Sequence, residues 1–182
     1  MNINYKKDWL KFIIGWVVCF GLRMIPFRPP NVEPILTTTM PFSKKYGWLA
    51  GFSFGFLSLI FFDLATLKLG IWSLITATCY GFLGVGAYFF FKNRKSTSLN
   101  YLKYAVVGTI AYDALTGLTI GPLFFKMPFM IALIGQIPFT LWHLAGNVVL
   151  SVTLSPFLYR WVLENRNLDP NVIWGKLFKT AL

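Results

Sequence analysis

Residues 47–55 are Gly-Trp-Leu-Ala-Gly-Phe-Ser-Phe-Gly, a sequence that fits either a catalytic turn or a membrane helix. Gly51-Phe-Ser-Phe-Gly55 matches the G-x-S-x-G of a hydrolase nucleophile elbow. That motif requires a sharp strand-to-helix turn that exposes the serine beside an oxyanion hole. On a helix the same residues mean something else: Gly47, Gly51 and Gly55 recur every four positions and form one smooth stripe. Tandem small-xxx-small spacing lets two helix backbones approach closely in lipid. The stretch lies inside an apolar run of residues 46–65, so the helix is the better reading and the stripe a docking surface.

Composition points the same way. The 182 residues are 56% hydrophobic and only 13% charged, with a mean hydropathy of +0.61. A soluble core of this size cannot use so much apolar surface, so a single multi-span helical membrane domain over residues 1–182 is expected. A formal charge of +11 would suggest nucleic acid in a soluble protein. Here the cations fall between apolar runs, which assigns them to topology and anionic headgroups, with no nucleic acid involved. Cys19 and Cys79 each lie inside an apolar run and form neither a metal spacing nor a disulfide framework. The N-terminal "NYKKDWLKFIIGWVVCFGL" has no small-x-small cleavage site and reads as a first membrane helix rather than a signal peptide.

Hydropathy predicts helices near 9–25, 31–42, 46–65, 70–91, 104–119 and 138–161. The second is shorter than the roughly 20 residues needed to cross the hydrocarbon. Between the fifth and sixth, "IGPLFFKMPFMIALIGQIP" (120–138) carries prolines at 122, 128 and 138, which predict a loop with a short apolar helical piece. With six spans and both termini cytoplasmic, thirteen Lys and Arg lie inside and only Arg23, Arg28, Lys68 and Lys126 outside. Removing the second span would place Lys44 and Lys45 outside and spoil this asymmetry. An all-α, six-helix protein of the cell membrane follows as the expectation.

Several polar residues resist a pure packing role. Gln136, Thr140, His143, Asn147 and Ser151 are separated by four, three, four and four positions, which is one helical face. Thr109, Asp113 and Thr116, with Tyr112 adjacent, make a similar face on the fifth helix. An aspartate at bilayer centre costs about 2.5–3.5 kcal/mol on insertion scales, so Asp113 is expected to face a cavity or a partner. Asn31, Glu33 and Asp63 stand at predicted outer ends. Together these residues are expected to line one pocket opening outward, with Trp142, Tyr112, Trp72 and Tyr80 available as aromatic walls. The plainer reading is that each merely bonds a neighbouring helix, and that the aromatics are core or interfacial belt. A lone histidine without a cysteine cluster supports no metal, and no cofactor motif is present.

Size, six spans and cytoplasmic ends resemble the substrate-binding S components of energy-coupling factor transporters, bacterial importers of vitamins and related micronutrients. The resemblance is carried by "RMIPFRPPNVEPILTTTMPFSKKYGWLAGFSFGFLSLIFFD" (23–63) and "WHLAGNVVLSVTLSPFLYRWV" (142–162), including the pair Gly146-Asn147. It implies a non-enzymatic subunit that captures a small solute in an outward pocket. It also implies association with a transmembrane T subunit and two cytoplasmic ATPases. Asn147 and His143 would be the first ligand contacts, then Asp113, Thr116 and Gln136, with Asn31 and Glu33 contributing from the preceding loop. Many members dock the T subunit through A-x-x-x-A on the first helix. The nearest match is Gly15-x-x-x-Cys19, with the Gly47, Gly51 and Gly55 stripe as a second surface for docking or internal packing. Two other classes stand against this reading. One is a stand-alone secondary carrier or channel. The other is an intramembrane hydrolase using Ser53 and His143, which the expected difference in depth between the two disfavours.

Overall fold

A computed structural model describes residues 5–26 and 31–173. Among the described residues, six α-helices lie wholly within view: α1 (Tyr5–Met24), α2 (Ile35–Tyr46), α3 (Trp48–Ala65), α4 (Ile71–Phe91), α5 (Ser98–Phe125) and α6 (Phe129–Phe157). The last continues into a π-helical turn, Leu158–Leu163. Successive helices run in opposite directions, as cross-helix contacts show. Tyr46 at the end of α2 donates to Asp8 at the start of α1 (3.0 Å), and Phe91 at the end of α4 packs on Tyr101 near the start of α5 (4.8 Å between rings).

Four segments are long and apolar enough to cross a bilayer: α3, α4, α5 and the joined stretch Phe129–Leu163. Their outward faces carry large apolar side chains such as Phe82, Val107, Leu141 and Trp161, all more than half exposed. A surface of this kind needs lipid rather than water. The chain is a multi-pass membrane protein built from helices.

α2 is the hub. It has only 12 residues, ten of them buried, and it packs against each of the other five helices. A helix buried all round has no polar face to offer, which explains the run Ile35–Ser43 of apolar and hydroxyl side chains. Pro41 inside it has no N–H, so the carbonyl of Thr37 four residues back loses its helical donor. Ser155 of α6 supplies the replacement, its hydroxyl donating to Thr37 O at 2.7 Å. The same device recurs in α6, where Pro156 frees the carbonyl of Val152 and Ser98 Oγ donates to it at 3.0 Å. Hydroxyls re-satisfying freed carbonyls are the reason proline is tolerated in membrane helices.

The glycine stripe packs α3 on α4. A Cβ on Gly51 would stand 2.0 Å from Ser43 Oγ and 2.7 Å from Gly84 O, and one on Gly55 would stand 2.7 Å from Tyr80 O. Gly47 departs from the expectation. A Cβ there meets nothing within 4 Å, and its φ of +97° makes it the left-handed corner between α2 and α3 instead. Gly15 and Cys19 are buried too, with Phe42 occupying the space a Gly15 side chain would need. This face of α1 is turned into the bundle.

Several helix boundaries also differ from expectation. Segment 120–137 is not a loop: α5 continues through Pro122 to Phe125, and α6 starts at Phe129 and passes through Pro138. Only Lys126, in the left-handed region at φ 53°, Met127 and Pro128 separate them. α2 begins at Ile35 rather than 31, so residues 31–34 form a strap leading into it.

Candidate functional site

The starting of α6 nine residues earlier than its apolar pattern suggests moves His143 inward. It lies 14 residues after Phe129, about 21 Å along the helix, and Asp113 is 12 residues before the end of α5, about 18 Å from the same hairpin. The antiparallel pairing of α5 and α6 therefore brings them level. Asp113 Oδ1 and His143 Nδ1 are 2.8 Å apart, and the two residues are 1% and 2% exposed. One turn further, Asn147 Nδ2 donates to Thr109 Oγ1 at 2.8 Å, again fully buried. The i, i+4 spacing on each helix stacks the pairs as two rungs.

A second branch reaches this point from the other side of the bundle. Arg23, buried near the end of α1, donates from Nη2 to Glu33 Oε1 at 3.3 Å and lies over the Phe62 ring at 3.7 Å. Tyr80 of α4 donates to the other oxygen of Glu33 at 3.1 Å. The Tyr80 ring lies 4.2 Å from Tyr112, which meets His143 edge-on at 5.8 Å. The strap that carries Glu33 can approach α6 because position 146 has no side chain: a Cβ on Gly146 would be 2.9–3.1 Å from Val32. Of the strap, residues 31–33 are half-buried and Pro34 is buried. Five segments thus contribute to one seam, two polar groups joined by the Tyr80, Tyr112 and His143 rings.

The seam is not self-sufficient. Among the described residues, Asp113 Oδ2, His143 Nε2, Asn147 Oδ1 and Arg23 Nε and Nη1 are buried with no hydrogen-bond partner. Each such group forfeits about 1–3 kcal/mol unless something pairs with it. When Nδ1–H of neutral His143 donates to Asp113, Nε2 presents a lone pair. The rungs then hold unpaired acceptors, and Arg23 holds unpaired donors.

The other expected residues fall around the seam rather than in it. Thr116 is buried but donates to the carbonyl of Tyr112 (2.8 Å) within its own helix. Gln136 donates to Thr140 at 3.3 Å and fills the space over Gly117, nearer the α5–α6 hairpin. Asn31 opens the strap in the left-handed region at φ 62°, a conformation asparagine tolerates. Asp63 lies away from the seam: its carboxylate accepts from Ser73 Oγ at 2.5 Å beside the α3–α4 turn. Trp72 and Trp142 also fall outside, being 48% and 56% exposed on the lipid-facing surface. Arg23 is the residue that sequence reading missed, having been assigned to topology. Its signal was a carboxylate, Glu33, ten residues on in a proline-rich connection.

Ser53 does not meet His143. It lies on the groove between α1 and α3 with Trp9, Phe12 and Trp16, whereas the imidazole is engaged by Asp113 between α5 and α6. Among the described residues, no group of three or more His, Cys, Asp or Glu gathers in metal-binding fashion. No family model, curated protein or solved structure matches the chain.

Proposed function

We propose that this protein is a solute-capture subunit of the S-component type, binding a vitamin-like molecule for import by separate energy-supplying subunits. The observation that carries the proposal is the seam of buried Arg23, Asp113, His143 and Asn147, each with a polar atom that lacks a partner, beside the half-buried Glu33. Polar groups retained inside a membrane bundle at this expense mark a solute pathway or binding site. The family likeness of residues 23–63 and 142–162 coincides with it, since those stretches supply Arg23, Glu33, His143, Gly146 and Asn147.

On this reading α1 crosses as a fifth span, and α2 with its strap completes a sixth. The end bearing Lys44, Arg94 and Arg160 is cytoplasmic, by the positive-inside rule. The T subunit and two ATPases belong to the same proposal. With the small face of α1 turned inward, docking would fall on an outer helix surface.

A second reading, a proton-coupled carrier, draws on the Asp113–His143 pair, since buried carboxylate–imidazole pairs serve as proton relays in membranes. Proteoliposomes containing this chain alone separate the two. A capture subunit binds solute but accumulates none under a pH gradient. A carrier accumulates it, and Asp113→Asn abolishes the accumulation.

A further inference from the structure

At the opposite end of α2 from the strap lies a cleft of about 490 Å³, with Lys44, Arg94, Lys95, Tyr159, Arg160 and Glu164 in its lining. Four cations face one carboxylate, Glu164, so the lining carries a net charge of +3. We propose that this cleft binds a phosphate group, either the headgroup of an anionic lipid or a soluble phosphate.

Lys44 is the built part of the site. Its ammonium donates to the carbonyl of Arg94 at 2.5 Å and to that of Phe91 at 3.4 Å, and lies 5.9 Å and 5.7 Å from the Phe91 and Tyr159 rings. These contacts hold one cation in place and leave one of its three N–H groups for an incoming anion. The guanidinium of Arg94 folds back on Phe90 O (2.6 Å), which leaves the exposed Lys95 and Arg160 as the cations open to an incoming anion. Ser96, paired with Tyr101 at 2.6 Å, stands just before the N-terminus of α5, whose partial positive charge adds to the field. The π-helical turn places Tyr159 and Arg160 on the cleft wall. A bound phosphate would tie α2, the α4–α5 connection and this turn together.

The test is native mass spectrometry of the full-length protein with phosphatidylglycerol and phosphatidylcholine, and calorimetry with inorganic phosphate and pyrophosphate. The variants are Lys95→Gln/Arg160→Gln and, as a control of equal charge loss at the other end, Lys68→Gln/Lys126→Gln. Both change exposed side chains and leave Lys44 as the folded structure needs it. Removing two cations near a membrane surface is expected to weaken phosphatidylglycerol binding about thirtyfold in the first variant, with the control unchanged. Loss confined to inorganic phosphate and pyrophosphate would assign the site to a soluble phosphate. Equal binding of every phosphate probe by wild type and the cleft variant would overturn the proposal.

Discussion

Asp113 is the residue on which the seam turns. Asp113→Ala leaves His143 Nδ1 buried without a partner and is expected to destabilise the protein by about 1–3 kcal/mol. Asp113→Asn keeps an acceptor at the same place and is expected to lose less. Thermal unfolding in detergent, followed by size-exclusion, ranks them, and an equal loss in both would mean the charge rather than the hydrogen bond holds the pair. Asp113, His143 and Asn147 were legible in the sequence because helical spacing alone puts each on one face. Their partners were less so. That Glu33 binds Arg23 and Tyr80 depends on a strap crossing three helices, and neither spacing nor hydropathy encodes such a crossing.

Proline is where helix rules for soluble proteins misled the reading. The prolines at 122 and 138 predicted a break, yet α5 and α6 pass through both. In lipid an interrupted backbone exposes unpaired groups, so continuing the helix around a proline is the lesser penalty. The mechanism is testable at Pro41. Ser155→Ala strands the carbonyl of Thr37 and is expected to destabilise by about 1–2 kcal/mol. In a Pro41→Ala background the restored N–H pairs with that carbonyl, and Ser155→Ala should then have little effect. A double-mutant cycle measures the difference, and additive losses would show that the hydroxyl is not compensating for the proline. The glycines divide in the same way. Gly51→Leu should prevent folding because the side chain enters Ser43 and Gly84, whereas Gly135→Ala, with open space around it, should be neutral. Comparable yields of monodisperse protein from both would contradict the close approach of α3 and α4.

For the whole molecule, the alternation of six helices gathers Lys44, Lys92, Lys95 and Arg160 at one end and Arg23, Lys68 and Lys126 at the other. Starting from a variant without Cys19 and Cys79, single cysteines at 95 and 126 should be labelled by impermeant maleimide from opposite sides of the membrane, with 95 inside. Labelling of both from one side would break the six-span topology. The number of helices was readable from the apolar runs. The central position of α2 was not, because a 12-residue run that is buried on all sides looks like an incomplete span. The claim that rests on all of this is capture of a small solute at the Asp113–His143–Asn147 seam. The most direct measurement is the thermal stabilisation of the purified protein by a panel of water-soluble vitamins and nucleobases, with Asn147→Ala alongside wild type. One compound should stabilise wild type by about 4 kcal/mol at a thousandfold excess over its Kd, and Asn147→Ala should lose most of that shift. No stabilisation by any compound, or an identical shift in Asn147→Ala, would contradict the account.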